Sequence, residues 1–526
     1  MFDRREFLKR SAITASTLLA GGAASARASA PVDLEEATVS RLQEAMASGR
    51  TTSRQITQGY LTRITRIDKR LNSLIELNTD ALKIAARLDI ERKNGKVRGP
   101  LHGIPVIIKD NIDTADKMKT TAGSLALVDA PTPKDAFIVA RLRDAGAVLI
   151  GKANLSEWAN FRDTSSISGW SGRGGQTRNP YILDRNPCGS SSGTGAAIAA
   201  NLAAIGIGTE TDGSIVCPSS ICGIVGLKPT VGLVSRSGII PISESQDTAG
   251  PMTRTVADAA LLLDVLDQAD PGDPATMKGG KRREKTSYAL SLVADGLKGA
   301  RIGVARDYWG KRKDVDAVCD AALAMMKRAG ATLVDVKFPN LQKFADAEFE
   351  VLLNEFKDGL DRYLNGRGGR HKTLEDLIRF NKENAAKEMP YFGQAIFEMA
   401  VKKGTLESRE YREALDTCRK YSREQGIDEA MDKNNLDAIV SPSNAPTWMI
   451  DTVNGDCGSA YVGSSSIAAV AGYPNITVPA GFASELPIGI SFFGRAWSER
   501  TLIKLAYSFE QAAKARRRPK FLATYV

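Results

Sequence analysis

Hydroxyl side chains are concentrated in one glycine-rich stretch, residues 186–229. Three consecutive serines, Ser190 to Ser192, lie between Gly189 and Gly193 and lead directly into an alanine-rich helical segment. Such a turn presents hydroxyls and backbone N–H groups at a helix N-terminus, which suits a developing negative charge. A second polar turn, 208–214, follows an apolar run and delivers another serine, Ser214. The two turns are candidates for a nucleophile and the groups that activate it.

Three other interpretations of this stretch stay open on the residues alone. A phosphate-binding loop would close with Gly-Lys-Ser or Gly-Lys-Thr, but Gly195 is followed by Ala196. A nucleophile elbow, Gly-x-Ser-x-Gly, is formally present at 189–193 but requires a downstream histidine, and only His371 qualifies. A structural serine- and glycine-rich turn is the third. Because the chain has only two histidines, His102 and His371, a histidine-rich metal centre is nearly excluded.

A lysine closes the apolar run Ile104 to Ile108. A charged lysine at the end of a buried strand is costly, and burial lowers its pKa toward a neutral amine that can accept a proton. A surface lysine whose stem lies along the strand end is the alternative for this fragment. Lys109 is therefore a candidate base if the fold brings it to the serines.

These fragments together resemble the amidase signature family of serine hydrolases. The three catalytic motifs of that family occur here in order, as GIPVIIKD at 103–110, GSSSG at 189–193 and TDGSI at 211–215. The similarity continues at 226–230, 246–254 and 472–481, and fades between about Pro271 and Lys433. It therefore covers most of the chain.

Four positions depart from the common family pattern and point to a subgroup. Cys188, Ser192 and Asp212 each stand where a glycine is common, and Glu210 stands where Asp is usual. Together with the segment 168–180 they resemble bacterial members that include peptide amidases, which release ammonia from C-terminally amidated peptides.

The resemblance implies a catalytic triad with Lys109 as base, Ser190 as bridging serine and Ser214 as nucleophile. It also implies a cis peptide bond between Gly189 and Ser190. Neutral Lys109 would take a proton from Ser190 while Ser190 takes one from Ser214, whose oxygen attacks an amide carbonyl to form an acyl-enzyme. This chemistry requires no metal and no organic cofactor. The other implied site residues are the oxyanion-hole amides of Thr211, Asp212, Gly213 and Ser214, the supporting residues Ser191, Asp247 and Arg254, and the possible substrate contacts Trp170 and Ser171.

Alternatives exist for the last two groups and for the function as a whole. Asp247 and Arg254 could form an ordinary ion pair, and Trp170 and Ser171 could serve packing. The expected function is hydrolysis of a carboxylic or peptide C-terminal amide to an acid and ammonia. One alternative is an acylamidase or esterase that uses the same triad on aryl or fatty acyl substrates. A subunit of a transfer-RNA transamidation complex and a binding protein with an inactive site are disfavoured, the first by the export signal and the second by the intact triad.

The elements that must position these residues have the alternation of an α/β protein. Short apolar runs alternate with helical stretches after about residue 95, which is typical of a largely buried sheet. The resemblance implies the amidase signature fold, one large twisted mixed β-sheet surrounded by α-helices. We expect residues 29–526 to form a single amidase domain, with a helical, variable substrate-side region at about 339–433 and a helical pattern from 34 to about 95. The strand-like runs are 104–108, 147–150, 205–207, 302–305, 438–440, 476–478 and 488–493, and helical stretches are 136–145, 196–203, 256–266 and 501–513.

Residues 1–28 have the pattern of a twin-arginine signal peptide. Arg4 and Arg5 precede a mildly apolar stretch from Ala12 to Ala24, and small residues follow. This stretch is too short and too rich in small and hydroxyl residues to anchor the chain in a bilayer. We therefore expect the twin-arginine export machinery to be a partner, the mature protein to be periplasmic or secreted, and no stable membrane anchor. An ordinary amphipathic first helix is the alternative.

Charge and cysteine content narrow the function further. The formal net charge is +10, and the basic clusters at 278–285 and 514–520 lack interleaved aromatic residues. We interpret them as solvated surface, and nucleic acid is not an expected partner. Six cysteines in 526 residues do not form a disulfide framework, although an oxidising compartment permits one or two bridges. Each cysteine is expected to be a small buried hydrophobic residue.

Overall fold

A mixed β-sheet of eleven strands forms the centre of the molecule in the computed structural model, which describes residues 32–277, 286–457 and 463–525. The strands are β1 (Leu74–Leu77), β2 (Pro105–Lys109), β3 (Val148–Ala153), β4 (Trp170–Ser171), β5 (Gly175–Gln176), β6 (Ile205–Glu210), β7 (Val225–Lys228), β8 (Thr248–Thr253), β9 (Arg301–Ala305), β10 (Thr332–Val336), β11 (Ala438–Pro442), β12 (Asn475–Ala483) and β13 (Leu486–Phe493). The order across the sheet is β1-β3-β2-β6-β8-β7-β12-β13-β11-β9-β10, and β4 and β5 form a separate two-stranded ribbon.

The sheet combines parallel and antiparallel pairs. Strand β2 is parallel to both β3 and β6, and β9 is parallel to both β10 and β11. The remaining pairs are antiparallel. The expectation of one large mixed sheet is therefore confirmed, and strands from both ends of the chain share it.

Helices surround this sheet. They are α1 (Val39–Ala47), α2 (Ser53–Leu71), α3 (Ala81–Lys93), α4 (Phe137–Asp144), α5 (Ser192–Ala199), α6 (Val216–Ile221), α7 (Val256–Leu266), α8 (Pro274–Met277), α9 (Lys313–Arg328), α10 (Ala345–Gly366), α11 (Leu374–Glu383), α12 (Ala385–Glu388), α13 (Ala395–Ala400), α14 (Arg409–Arg419), α15 (Asp428–Asn434), α16 (Ser466–Ala471) and α17 (Glu499–Ala513). A π-helical turn, Lys420–Ile427, joins α14 to α15.

All seven runs that the sequence analysis named as strand-like fall in strands of the large sheet. The sequence did not indicate the other four strands of that sheet, which are β1, β7, β8 and β10. Strand β1 interrupts the region 34–95, whose pattern predicted helix throughout. Strand β8 contains a glycine and a proline, which usually disfavour a central strand. Gly250 is required there because a Cβ would lie 2.1 Å from the carbonyl oxygen of Leu227 on the neighbouring strand. A close approach of two backbones therefore replaces side-chain packing at this point.

The region 339–433 is mostly helical, as its pattern predicted, and its longest helix, α10, packs against the segment that follows β3. Leu352, Leu353 and Phe356 of α10 pack in one apolar cluster with Trp158 and Phe161. Those two aromatic residues belong to the segment between β3 and β4, which leads toward the serine-rich loop. The helical region thus forms part of the outer wall of the site described below.

Two of the sequence interpretations fall on residues outside the described ranges, namely the signal peptide at 1–28 and the basic cluster at 278–285. The second basic cluster is not simply solvated. Arg516 donates to both carboxylate oxygens of Glu36, Arg518 pairs with Glu35, and Lys520 pairs with Glu485. In the described parts of the chain no helix combines the length and apolar character needed to cross a membrane.

Candidate active site

Lys109 is brought to the serines by the pairing of two parallel strands. It is the last residue of β2, and β2 pairs with β6 so that Ile108 lies opposite Ile207. Because the carboxyl ends of parallel strands meet at one edge of a sheet, Lys109 faces the last residues of β6. Its Nζ donates to Ser190 Oγ at 2.7 Å and to Thr209 Oγ1 at 2.9 Å. The lysine is therefore not the surface residue of the alternative interpretation.

Burial changes the acidity of this lysine. The side chain is fully buried, and loss of hydration lowers the pKa of Lys109 to about 7, against the opposing influence of the Asp247 and Glu210 carboxylates. A lysine in water has a pKa of about 10.4. A large fraction of the Lys109 amine is therefore neutral near pH 7, and its lone pair can accept the proton of Ser190.

The bridging serine lies in a loop that is fixed by backbone contacts. The Gly189–Ser190 peptide bond is cis. The Ser156 N–H donates to the carbonyl oxygen of Ser190 at 3.1 Å, and the Ser191 N–H donates to that of Ser214 at 3.2 Å. A Cβ on Gly189 would lie 2.1 Å from Ser156 Oγ, so glycine is required at this position. These contacts attach the first serine loop to the second.

The predicted supporting role of Ser191 has a structural counterpart. Its Oγ donates to the carbonyl oxygen of Thr209 at 3.0 Å and accepts the Thr209 N–H at 3.2 Å. This close approach requires Gly208, because a Cβ there would lie 2.7 Å from Ser191 Oγ. Ser191 thereby fixes the strand residue whose hydroxyl contacts Lys109.

The turn that carries Ser214 is held by two carboxylates. Glu210 Oε2 accepts the N–H groups of Ile215 and Val216 at 2.7 and 3.0 Å. Asp247 Oδ1 accepts the hydroxyl of Thr211 at 2.5 Å. Carboxylates at the N-terminus of a helix stabilise its unpaired N–H groups. Both ends of the turn are therefore fixed before a substrate arrives.

Asp247 also organises the neighbouring loop. Its Oδ2 accepts the N–H groups of Ile242 and Ser243 at 2.7 and 2.9 Å. Burial raises the pKa of Asp247 to about 6, against these hydrogen bonds, which favour the charged form. Asp247 is thus at the site, as the sequence predicted, and it acts on the nucleophile turn through Thr211.

The amide groups of this turn point to an anion-binding function. Within the described ranges, no acceptor is hydrogen-bonded to the backbone N–H of Asp212, Gly213 or Ser214. Gly213 has a φ of +76°, a conformation that glycine adopts without strain. Ser214 is 8% exposed and lies at the cavity surface beside these amides. Unpaired N–H groups next to a hydroxyl are the arrangement that stabilises the oxyanion of acyl transfer.

A cavity of about 320 Å³ opens above Ser214. Its apolar wall comes from distant parts of the chain, namely Phe161, Ile242, Leu352 and Trp448. Among the described lining residues, the charged side chains are acidic and there is no lysine or arginine. The full lining is Ala159, Asn160, Phe161, Ser168, Cys188, Gly189, Thr211, Asp212, Gly213, Ser214, Cys217, Ile242, Leu352, Trp448, Asp456 and Cys457.

Three of the sequence-predicted site residues lie elsewhere. Trp170 packs against Phe392 with ring centroids 5.2 Å apart and does not line the cavity. Ser171 is fully buried and donates to Asn154 Oδ1 at 2.8 Å. Arg254 donates to the carbonyl oxygens of Ala37, Ile198 and Ala203 at 2.7–3.3 Å, which fixes the end of α5 and not the loops of the site. Packing against aromatic neighbours and satisfaction of buried carbonyl groups explain these positions.

The cysteine expectation needs a correction at three positions, Cys188, Cys217 and Cys457. Cys188 and Cys217 form a disulfide with Cα atoms 6.2 Å apart, and both line the cavity. Cys222, Cys319 and Cys418 are buried, as predicted, whereas Cys457 is exposed. Spacing of 29 residues along the chain gave no indication of the bridge, because only folding brings the two loops together.

Sequence reasoning missed several residues that complete the site. Thr209 contacts Lys109, and Asn111 Nδ2 donates to Thr209 Oγ1 at 3.0 Å. Both lie within two residues of a recognised motif, so their polar character was a usable signal. Ser156 and Trp448 lie in segments without any motif, and no signal in the sequence marked them.

The placement of His371 tests the nucleophile-elbow interpretation. His371 donates nothing to the serine loops; its ring packs against Phe380 at 5.2 Å between centroids, and its Nε2 accepts from Arg370. The elbow alternative, which requires His371, is therefore excluded by placement. Within the described residues, no group of three or more histidine, cysteine or acidic side chains is arranged to hold a metal ion.

Comparison with known proteins gives a consistent result. Residues 55–503 match the family model described as Amidase. The crystal structure of native peptide amidase from Stenotrophomonas maltophilia is 50% identical and superposes with a TM-score of 0.88, covering 92% of this chain and 99% of that one.

Two further similarities have the same extent. A peptide amidase solved in complex with the competitive inhibitor chymostatin is 51% identical, with a TM-score of 0.89 and coverage of 92% and 99%. A probable amidase of Arabidopsis thaliana is 41% identical over 513 residues, which are 96% of this chain and 95% of that protein.

Proposed function

Because the chain belongs to the amidase family, we propose that it removes ammonia from C-terminally amidated peptides. In this proposal the reaction passes through a Ser214 acyl-enzyme and takes place after export from the cytoplasm. Hydrolysis of amides follows from the family itself. The observation that carries the mechanism is the buried contact of 2.7 Å between Lys109 Nζ and Ser190 Oγ, next in the chain to Gly189, which lines the same cavity as Ser214.

Acylation begins with two proton transfers. Neutral Lys109 accepts the proton of the Ser190 hydroxyl while Ser190 accepts that of Ser214, and the Ser214 oxygen bonds to the amide carbon. The carbonyl oxygen becomes an oxyanion and accepts hydrogen bonds from the amides of residues 212–214. As the C–N bond breaks, Ser190 returns a proton to the nitrogen and regains one from the Lys109 ammonium, so that ammonia leaves.

Deacylation uses the same groups in the same roles. A water molecule gives a proton to Ser190, which passes its own to Lys109, and the water oxygen bonds to the acyl carbon. Collapse of the second oxyanion breaks the bond to Ser214 Oγ, which recovers a proton from Ser190. The products are a carboxylic acid and free enzyme, and each proton taken up by Lys109 has been returned.

The shape and charge of the cavity support a neutral peptide amide as substrate. Its walls combine apolar side chains with the carboxylates of Asp212 and Asp456, and its described lining has no basic residue. A C-terminal carboxylate therefore has no cationic partner among the described lining residues, whereas an uncharged amide does not need one. This charge pattern favours amide binding and release of the acid product. The 50% identity to a peptide amidase supports the same substrate class.

Two features support an exported enzyme. The sequence of residues 1–28 predicts a twin-arginine signal, and a disulfide joins Cys188 to Cys217. Disulfides persist in oxidising compartments and are rare in the cytosol. These features support our proposal that the mature enzyme acts in the periplasm or outside the cell.

The test measures ammonia release from peptide amides, aliphatic amides and anilides, together with hydrolysis of aryl esters. We expect peptide amides to have the highest kcat/KM and chymostatin to compete with them. Added hydroxylamine should yield the peptide hydroxamate, because it intercepts an acyl-enzyme. Preference for anilides or fatty acyl esters would contradict the peptide-amide assignment, and absence of hydroxamate during turnover would contradict the acyl-enzyme.

A further inference from the structure

One covalent bond joins the two serine loops beside the reacting groups. Cys188 lies two residues before Ser190, and Cys217 lies three residues after Ser214 in the first turn of α6. The bond between them therefore closes a short bridge from the loop of the bridging serine to the helix of the nucleophile. The same segments are also connected by a hydrogen bond from the Ser191 N–H to the Ser214 carbonyl oxygen at 3.2 Å and by one from Cys222 Sγ to the Pro187 carbonyl oxygen at 3.7 Å.

Each end of this bridge is held in place. At one end the Cys188 N–H donates to Asn186 Oδ1 at 2.8 Å, and Asn186 Nδ2 donates to Asp456 Oδ1 at 3.1 Å. At the other end the Cys217 N–H donates to the carbonyl oxygen of Gly213 at 2.7 Å, inside the nucleophile turn. The bond thus connects an anchored loop to the turn that must present Ser214 and its neighbouring amides.

The sulfur atoms lie in an apolar environment at the cavity wall. Cys188 and Cys217 pack with Ile221, and Trp448 packs against the same cluster. Helix α6 has only six residues and is a small element to fix without help. A proton relay between two hydroxyls tolerates little displacement, because proton transfer requires heavy atoms within hydrogen-bond reach.

We infer that the Cys188–Cys217 disulfide is a positioning element for the reaction. It holds the Ser190 loop and the turn that carries Ser214 at the separation that proton relay needs. This inference rests on the proposed function. Reduction supplies two electrons and two protons from a dithiol, which itself closes to a disulfide, and leaves two thiols at the cavity wall. The enzyme would then bind its substrate but turn it over slowly.

The test compares oxidised wild type, the double variant Cys188→Ala/Cys217→Ala and wild type reduced by a dithiol. Alkylation followed by mass determination establishes that the reduced form has two additional thiols. We expect kcat to fall about tenfold or more in both bridge-free forms, KM to stay within about threefold, and reoxidation to restore kcat in the wild type alone. Cys319→Ala is the matched control, because it removes a buried free thiol that neither lines the cavity nor takes part in the bridge.

The outcomes separate positioning from other roles. A lower melting temperature with unchanged kcat and KM would mean that the disulfide only stabilises the fold. A higher KM with unchanged kcat would mean that it only shapes the substrate cavity. Either result overturns the inference. If the double variant does not fold, Cys188→Ala and Cys217→Ala singly break the same bond and give the same measurement. Full turnover by Ser214→Ala would instead overturn the proposed function, whereas a redox-insensitive kcat in an enzyme that still requires Ser214 would overturn only this inference.

Discussion

The reaction centre and the outer wall of the cavity are built in opposite ways. Lys109 and the turn that carries Ser214 lie at the ends of two neighbouring strands, and hydrogen bonds within the protein join Lys109 to Ser190 and Thr211 to Asp247. The outer wall consists of single side chains from well-separated segments, such as Phe161, Leu352 and Trp448.

This difference indicates how the protein divides its tasks. A proton relay requires distances fixed to fractions of an ångström, and paired strands provide them. Selection of an acyl group requires only a suitable apolar surface, which helices and loops can supply. We therefore expect substitutions at the centre to affect kcat and those at the wall to affect KM.

The largest effect should come from the centre itself. Ser214→Ala removes the nucleophile and Lys109→Met removes the base while keeping an apolar stem, and each should lower kcat by about 10³-fold or more. Initial rates of ammonia release, with folding checked by circular dichroism, give the result. Ser192→Ala, in the same serine run but outside the triad, is the control and should stay within a few-fold of wild type. Wild-type rates in both triad variants would mean that turnover does not depend on the reaction centre.

A second prediction concerns pH. Since only the neutral amine of Lys109 can accept a proton, kcat/KM should rise with pH through a midpoint of about 7 and level off above it. Between the plateau and pH 5 the loss should be about 100-fold, because the neutral fraction falls tenfold for each pH unit. A profile measured on an uncharged peptide amide between pH 5 and 9 tests this. A pH-independent kcat/KM across that range would exclude Lys109 as the base.

Asp247 should have an intermediate effect, since it acts on the nucleophile turn through Thr211. Asp247→Asn keeps the size of the side chain but weakens acceptance of the Thr211 hydroxyl and of two N–H groups. We expect kcat to fall about tenfold with little change in KM. The pKa of Asp247 is about 6, so its protonation should add to the loss of activity of the wild type below pH 6. This additional loss should be absent from the variant. An unchanged kcat would mean that the turn does not depend on this carboxylate.

The smallest effect should come from the wall. Leu352→Ala enlarges the cavity without touching a polar group of the centre, so KM for peptide amides should rise several-fold while kcat stays within about threefold. A small aliphatic amide, which does not reach Leu352, should be turned over as before. A fall in kcat for both substrates would mean that Leu352 affects the reaction centre and not only substrate binding.

Much of the centre could be predicted from the sequence because its residues lie in three short motifs. Ser190, Ser191 and Ser214 each stand within a few residues of glycines, and Lys109 directly follows an apolar run, so these local features are visible in the chain. Trp170 and Ser171 show the limit of this reasoning. They are near the site in sequence, but their side chains turn to an aromatic cluster and to Asn154.

The strands illustrate the same limit. Apolar runs such as 104–108 and 488–493 identified strands because buried strands require continuous hydrophobic residues. Strand β8 was not predicted, because its position depends on the close contact of Gly250 with Leu227 across the sheet and not on its own side chains. Strand β1 escaped because its four residues lie between two strong helical patterns.

The sequence by itself indicated the family, because its motifs are short continuous segments of the chain, and the resemblance implied the chemistry and the three residues expected to perform it. Tertiary structure alone decided that Lys109 is buried against Ser190, that Cys188 bonds to Cys217, that Arg254 binds carbonyl groups at the end of α5, and that Leu352 and Trp448 line the cavity. Each of these depends on contacts between segments from 29 to more than 200 residues apart. Such contacts arise only when the sheet has formed, because burial and pairing distance are properties of the folded chain.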